Sequence, residues 1–166
     1  MSELLVRPPR LGDVEALAAT MRAADREELV AAHGWTPLWA LMRGLEDSTE
    51  VWTVVADGKV AAMYGVVELG QYDYGERWGI GWLLTSDLVE THKRAFWRAC
   101  KLHVADLFTR WDGLYNAIDC RHEKAIRWAK RLGFELFDPA PYGIEGLEHQ
   151  AFLARKEAVE CALRQL

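Results

Sequence analysis

No stretch of this sequence approaches the ~18 uninterrupted apolar residues of a membrane-spanning helix. Met1 to Arg10 lacks the long apolar core of a secretory leader. The sequence therefore predicts a soluble chain with no membrane span. Cysteine is scarce, and Cys100, Cys120 and Cys161 lie far apart. That spacing excludes a paired zinc motif and a disulfide scaffold, so reduced thiols in a cytosolic setting are expected, with no metal. Positive charge is in deficit: 20 Lys and Arg face 25 Asp and Glu, for a net charge of −5. Neutralising a phosphate backbone needs the opposite balance, which argues against strong nucleic-acid binding. There is no repeat and no low-complexity linker, and 166 residues suit one core. The expectation is a single domain over residues 1–166, with about 155–166 as a C-terminal amphipathic tail.

What is present is a mixed pattern. Eight tryptophans are many for this length; core filling accounts for most of them, and a tryptophan-rich contact surface is the alternative. Residues 3–7 (ELLVR) form an apolar run stopped by Pro8-Pro9, which predicts a first strand. Asp13 stands where an N-cap acceptor belongs, before the periodic Val14, Leu17 and Met21. A second helix is expected over roughly residues 25–33, and a third starting at Thr36-Pro37, with Thr as cap and Pro at the first helical position. From Glu50 the period changes from 3.6 to 2, and Asp57-Gly58 between VWTVVA and KVAAMYGVVEL predicts a type I′ hairpin. WGIGWLLTSD is a further strand whose glycines suggest a bulge or a close backbone approach. A long amphipathic helix is expected over 92–111 and a strand over 113–119. A helix over 123–132 follows, closed by Gly133, and last strands over 134–137 and 149–154. Val159, Leu163 and Leu166 share one side of the tail, which either packs on the body or docks on a partner.

This is an α/β sheet with a strand, crossover helix and parallel strand at its centre. The order of strand, two helices, three strands, helix, strand, helix and two strands resembles the acyl-CoA-dependent N-acetyltransferase superfamily called GNAT. The nearest local match is HEKAIRWAKRLGF at 122–134, similar to that family's Asn-x-x-Ala-x-x-Leu-Tyr-x-Lys-x-Gly-Phe. The resemblance implies an acetyl-CoA site at the N-terminus of the long helix, where a glycine-rich loop seats the pyrophosphate on free N–H groups. Here the stretch TSDLVETHKRAF contains no glycine, and Ala129 stands where the family often keeps a tyrosine as proton donor to the departing thiolate. A narrower resemblance covers RPPRLGDVEALAATMRAADREE, WLLTSD with THKRAFWRACK, and DCRHEKAIRWAKRLGF. These stretches are similar to small GNAT-like proteins of tailed bacteriophages, including the smaller internal virion protein of short-tailed phages.

Two functions follow from these resemblances. One is a non-catalytic internal virion or assembly protein without cofactor, contacting other phage virion or host proteins and located in the virion or host cytoplasm, with homo-oligomer formation open. The other is a divergent acetyl-CoA-dependent N-acetyltransferase acting on a small-molecule or protein amine. For catalysis His122 is the main candidate, as an acid or base titrating near neutrality just past a central strand. Glu68, or Tyr72 in the loop that also carries Asp73 and Tyr74, could serve as base or replacement phenol. If acetyl-CoA binds, Leu84, Thr85, His92, Lys93 and Arg94 are the expected contacts, with Arg127 adding charge from the following helix. The competing reading of each is structural: a helix start for His122, a solvated loop acid for Glu68, loop packing for the tyrosines, and a solvated cationic face for the rest. Cys120 reads as a structural thiol before a nucleophile.

Overall fold

The computed structural model of the chain describes residues 4–71 and 75–166. β1 (Leu4–Arg7) leads into α1 (Asp13–Thr20), α2 (Ala23–His33) and α3 (Pro37–Asp47). β2 (Glu50–Ala56), β3 (Lys59–Gln71) and β4 (Arg77–Thr85) form a meander. Then come α4 (Leu88–Thr91), α5 (Lys93–Leu107), β5 (Gly113–Asp119) and α6 (Glu123–Arg131). The chain ends with β6 (Glu135–Leu136), β7 (Ala140–Tyr142), β8 (Leu147–Arg155) and α7 (Lys156–Leu163). The sheet order is β1-β2-β3-β4-β5-β8-β6, with β7 also on β8. β4 and β5 pair in parallel, and every other pairing among the described residues is antiparallel.

Local chemistry explains most of these elements. Asp57 and Gly58 have φ of 49° and 74°, the left-handed pair that a type I′ turn requires. Thr36 accepts the Trp39 N–H on its Oγ1 and Pro37 opens α3, as expected from the sequence. The start of α1 differs from expectation. Gly12, at φ 87°, takes the cap position, and Asp13 is the first helical residue. The Asp13 carboxylate accepts instead from the Arg7 guanidinium at 2.6 and 2.9 Å, from Arg10 N–H at 2.8 Å and from Thr53 Oγ1 at 3.0 Å. It ties α1 to β1 and β2, a long-range role that outcompetes a local cap.

The helix expected over 92–111 occurs as α5 but ends at Leu107, and the short α4 before it and the strand β7 were not foreseen. Three helices precede the meander, matching the three helical stretches expected over residues 13–45, where the order of strand, two helices and three strands counted two. α1 and α3 pack on one face of the sheet through Leu17, Met21, Leu41 and Met63. α5 and α7 cover the other through Leu107, Phe108, Val159 and Phe152. Val159 is fully buried and Leu163 packs on the same cluster, so the tail lies against the body.

Trp82 sits between two glycines. A Cβ on Gly44 of α3 would come within 2.8 Å of its ring, and one on Gly65 of β3 within 3.0 Å. Its indole N–H donates to Ser48 Oγ at 2.8 Å. The ring therefore leans toward β3 and leaves the β5 side of its strand open.

Candidate functional site

β4 and β5 pair only from Trp78 to Ile80 and from Gly113 to Tyr115. Asn116 marks the end of pairing: its Nδ2 donates to the Gly81 carbonyl at 2.8 Å, and its Oδ1 accepts the Ala117 N–H at 2.8 Å. Beyond it the strands separate. Ser86 N–H donates to the Ala61 carbonyl of β3, and antiparallel alternation then turns the backbone groups of Gly81, Leu83 and Thr85 toward β5. Those of Thr85 are taken, its N–H by Asp25 Oδ2 at 2.7 Å and its carbonyl by Arg22 N–H at 3.0 Å. Those of Leu83 face the gap. A cavity of about 490 Å³ runs through it, reaching Glu28, His33 and Trp35 on one side of the sheet and Phe96, Cys100 and Ala129 on the other.

A buried polar cluster closes the far end of the fork. Asp25 accepts from Thr85 N–H, from Thr85 Oγ1 at 2.8 Å and from Arg22 Nε at 3.0 Å, and His122 Nε2 lies 3.0 Å from its Oδ1. Burial pushes the Asp25 carboxyl up, but His122, the Arg22 charge and Thr85 more than offset it and hold it below the ordinary range. On the α2 side of the cavity Glu28 accepts the Asp119 N–H at 3.1 Å. Its carboxyl is raised by burial, with Asp25 and Asp119 adding to the rise against the Asp119 N–H and His122. His149 is 3% exposed; its Nδ1 sits 2.9 Å from the Leu147 carbonyl, and its Nε2 has no hydrogen-bond partner among the described residues. On the α5 side the Tyr64 hydroxyl is likewise buried without such a partner, and its ionisation is pushed upward, first by burial. Burial also raises the Cys100 thiol to about 12.

A second cleft, of about 350 Å³, adjoins the first between α4, the start of α5, and α6. Arg22, Lys93, Arg94, Lys124 and Arg131 line it with one acid, Glu90. Glu90 Oε1 lies 3.0 Å from Lys124 Nζ and 3.8 Å from Arg22 Nη1. The Arg131 guanidinium stacks on Trp97 at 4.4 Å. Side chains thus gather positive charge beside α4 and the start of α5.

Of the residues singled out by sequence, Lys93 and Arg94 line this cleft. Leu84 does not turn its backbone to the fork, because the alternation assigns that to Leu83. Thr85 is committed to Asp25 and Arg22. His92 is buried beside Asp57, 3.0 Å from its Oδ2, and Arg127 pairs with Glu123 at 3.5 Å on an exposed surface. His122 is 8% exposed and belongs to the Asp25 cluster. Glu68 pairs with Arg77 at 2.9 Å, and it stands opposite Gly79, at the end of β4 away from the fork. Tyr72, Asp73 and Tyr74 lie outside the described residues. Burial raises the Cys120 thiol, with Glu148 and Asp119 adding to the shift, so it is not an activated nucleophile. Ala129 is 2% exposed in the cavity wall and offers no proton donor. Glu28, Asp119, His149 and Tyr64 were not anticipated. A signal existed for Glu28, since Asp25, Glu28, Leu29 and Ala32 share one helical stripe, which places acids among core positions.

Parallel central strands that part after a short pairing, with helices on both faces and a cavity through the gap, define an acetyltransferase-like α/β fold. Comparison with solved structures makes this specific. The chain is similar to the aminoglycoside N(6′)-acetyltransferase of Legionella pneumophila, at 13% identity and a TM-score of 0.72, covering 97% of this chain and 96% of that one. It is similar to the spermidine N-acetyltransferase of Vibrio cholerae solved with CoA and spermine, at 12% identity and a TM-score of 0.68, covering 95% and 98%. The yncA protein of Salmonella typhimurium, solved with acetyl-CoA, matches at 14% identity and a TM-score of 0.66, covering 92% and 94%. The fold is that of the GNAT acetyltransferases. No protein-family profile matches the sequence, and no curated protein matches it. Among the described residues no helix is long and apolar enough to cross a membrane, and no three His, Cys, Asp or Glu side chains converge as a metal site.

Proposed function

We propose that the protein binds an acyl-CoA in the fork between β4 and β5 and transfers the acyl group to an amine. The observation that carries this reading is the cavity through the fork, which joins the α2 side of the sheet to the α5 side beside the cationic cleft. The residues fit such a ligand. Leu83 offers a backbone N–H and C=O to an amide-bearing arm. Lys93, Arg94, Lys124 and Arg131 supply by side chain the charge that the absent glycine loop would have supplied by backbone. The buried Tyr64 hydroxyl offers a donor and acceptor to a polar group in the cavity. An acyl-CoA supplies a thioester, whose C–S bond breaks as the amine nitrogen forms the C–N bond.

With Ala129 in the wall, no phenol protonates the sulfur from α6, and a thiolate with an ordinary pKa of ~8.5 leaves unaided or takes the proton that the nitrogen sheds. Glu28 and His149 line the acceptor side, where that nitrogen enters. Isothermal titration with acetyl-CoA, beside a thermal-shift series, tests the reading, because a ligand that prefers the native state raises its stability. Micromolar binding is expected. No heat and no shift at millimolar acetyl-CoA overturns it.

A second reading rests on the same cleft. Glu90 already pairs with Lys124 and approaches Arg22, and with Ala129 this suits a scaffold that has given up cofactor and chemistry. Such a protein would act through contacts with virion or host proteins, as the similarity to small phage internal virion proteins suggests. Binding of acetyl-CoA with turnover of any amine excludes it.

A further inference from the structure

The cavity's α2 side holds a base that nothing in the sequence marked. His149 lies in β8, paired to Asp119 of β5 on one side and to Ala140 of β7 on the other. The Leu147 carbonyl, 2.9 Å from Nδ1, can only accept a hydrogen bond, so it requires the proton on Nδ1. Nε2 then carries a lone pair, and it is this nitrogen that is buried, unpartnered and in the cavity wall. A buried acceptor without a donor is costly unless a ligand supplies one.

The surroundings indicate which donor. Tyr142 lies tilted by 55° against His149 at 5.0 Å, His33 meets Tyr142 edge-on at 6.2 Å, and Trp35 stacks on His33 at 4.5 Å. Aromatic faces of this kind attract cations. Glu28 adds a carboxyl group to the same wall, whereas the Asp119 carboxylate is held by the Arg121 guanidinium at 2.6 Å. We propose that this wall is the binding site for a primary alkylammonium, and that His149 Nε2 takes its proton. The step is R–NH3+ with neutral His149 giving R–NH2 and imidazolium, which returns the proton to water. The proposal deepens the acyl-transfer reading by naming the acceptor and its base, and its ligand site stands without that reading.

The test is long-range proton–nitrogen NMR of the 15N-labelled wild-type protein, assigned by comparison with His149→Asn, with n-butylamine as probe and n-butanol as uncharged control. The groups facing His149 are Asp119 from β5, His33 from α2 and Tyr142 from β7; all are retained in the variant. Expected is a proton on Nδ1, an unprotonated Nε2, and a shift of the Nε2 signal on adding butylamine but not butanol. In acetyl-CoA-dependent acetylation of butylamine, His149→Asn lowers kcat/KM about 100-fold, the low end for a removed general base, and abolishes the acid limb of its pH profile. A proton on Nε2, an Nε2 signal blind to butylamine, or a variant with unchanged rate and pH profile each overturns the proposal. An Nε2 signal that responds to butylamine in a protein that binds no acetyl-CoA upholds the ammonium site and overturns acyl transfer.

Discussion

His122 Nε2 lies 3.0 Å from Asp25 Oδ1, joining residues 97 apart in sequence at the closed end of the fork. Asp25 also holds both the N–H and the hydroxyl of Thr85, so one carboxylate links α2, the end of β4 and the turn before α6. Removing it leaves the Thr85 N–H and hydroxyl without their acceptor and takes the carboxylate from the Arg22 guanidinium and the His122 imidazole, whose Nη2 and Nε2 lie 3.0 Å apart. Asp25→Ala is expected to cost about 3 kcal/mol, the range for breaking a buried charged pair. Urea denaturation reads this as a lower midpoint at unchanged slope. His122→Ala should cost less, because Arg22 and Thr85 still satisfy Asp25.

The acid side of the stability profile follows from depressed carboxyls. The Arg7 guanidinium holds the Asp13 carboxyl low, and Asp25 and Asp119 end below the ordinary range despite the upward push of burial. As pH falls past about 4, where unfolded aspartates protonate, the unfolded chain binds more protons than the folded one. Stability is therefore complete above that pH and is lost as pH falls through the folded values. Thermal midpoints from pH 7 to 3 should drop, and Asp13→Asn should start lower at pH 7 yet fall less steeply.

Glu28 carries the opposite sign. Its carboxyl is raised, first by burial, so the folded chain holds a proton that the unfolded chain releases above about 4.3. Its contribution is full below that pH and is lost as pH rises through the folded value. Glu28→Gln keeps an acceptor for the Asp119 N–H without the charge. The variant should be more stable than wild type at pH 7 and no more stable at pH 4, as read by thermal melts. Under the acyl-transfer reading it should acetylate amines more slowly, a cost typical of stabilising a site residue.

Much of this architecture is legible in the residues and some is not. The Asp57-Gly58 hairpin and the Thr36-Pro37 helix start are local, since turn chemistry and capping act within four residues, and both occur as expected. The strand over 113–119 also matches its expected bounds. Asp13 failed as a cap because Arg7 and Thr53 compete for its carboxylate across the sheet. The site was less legible. His122 invited a catalytic reading by its position, yet Asp25 absorbs it, and that pairing spans three elements that no periodicity connects. Leu84 was one residue from Leu83, and in a strand a single residue reverses the direction of the backbone groups. His149 gave no signal, because the orphaned nitrogen depends on which carbonyl its partner nitrogen meets.

The cationic cleft carries its own internal competitor. Glu90 is an exposed acid beside Lys124 and Arg22, and phosphates entering the cleft must outcompete it. An exposed ion pair contributes about 0.2–1 kcal/mol, so Glu90→Gln should tighten acetyl-CoA binding about threefold in titration calorimetry. Lys124→Ala should weaken it and flatten its salt dependence. An unchanged dissociation constant in both would place the phosphates elsewhere.

Asn116 fixes where the fork opens, and its chemistry makes that role testable through pH. Its amide donates to the Gly81 carbonyl of β4 while its oxygen accepts the Ala117 N–H of its own strand. Asn116→Ala frees both groups, at about 1–3 kcal/mol for partly buried backbone left unpaired. Asn116→Asp keeps the acceptor for Ala117 but sets a carboxylate against the Gly81 carbonyl, two acceptors facing each other, so at pH 7 it should be the less stable of the two. That repulsion raises the new carboxyl, and once protonated it donates as the amide did. Stability contributed by such a group is present below its unfolded pKa and lost as pH rises through the folded one. The order of the variants should therefore reverse near pH 4 in urea denaturation, with Asn116→Asp the more stable. If the order holds at both pH values, the Gly81 carbonyl is not what Asn116 binds, and backbone twist alone must part the two strands.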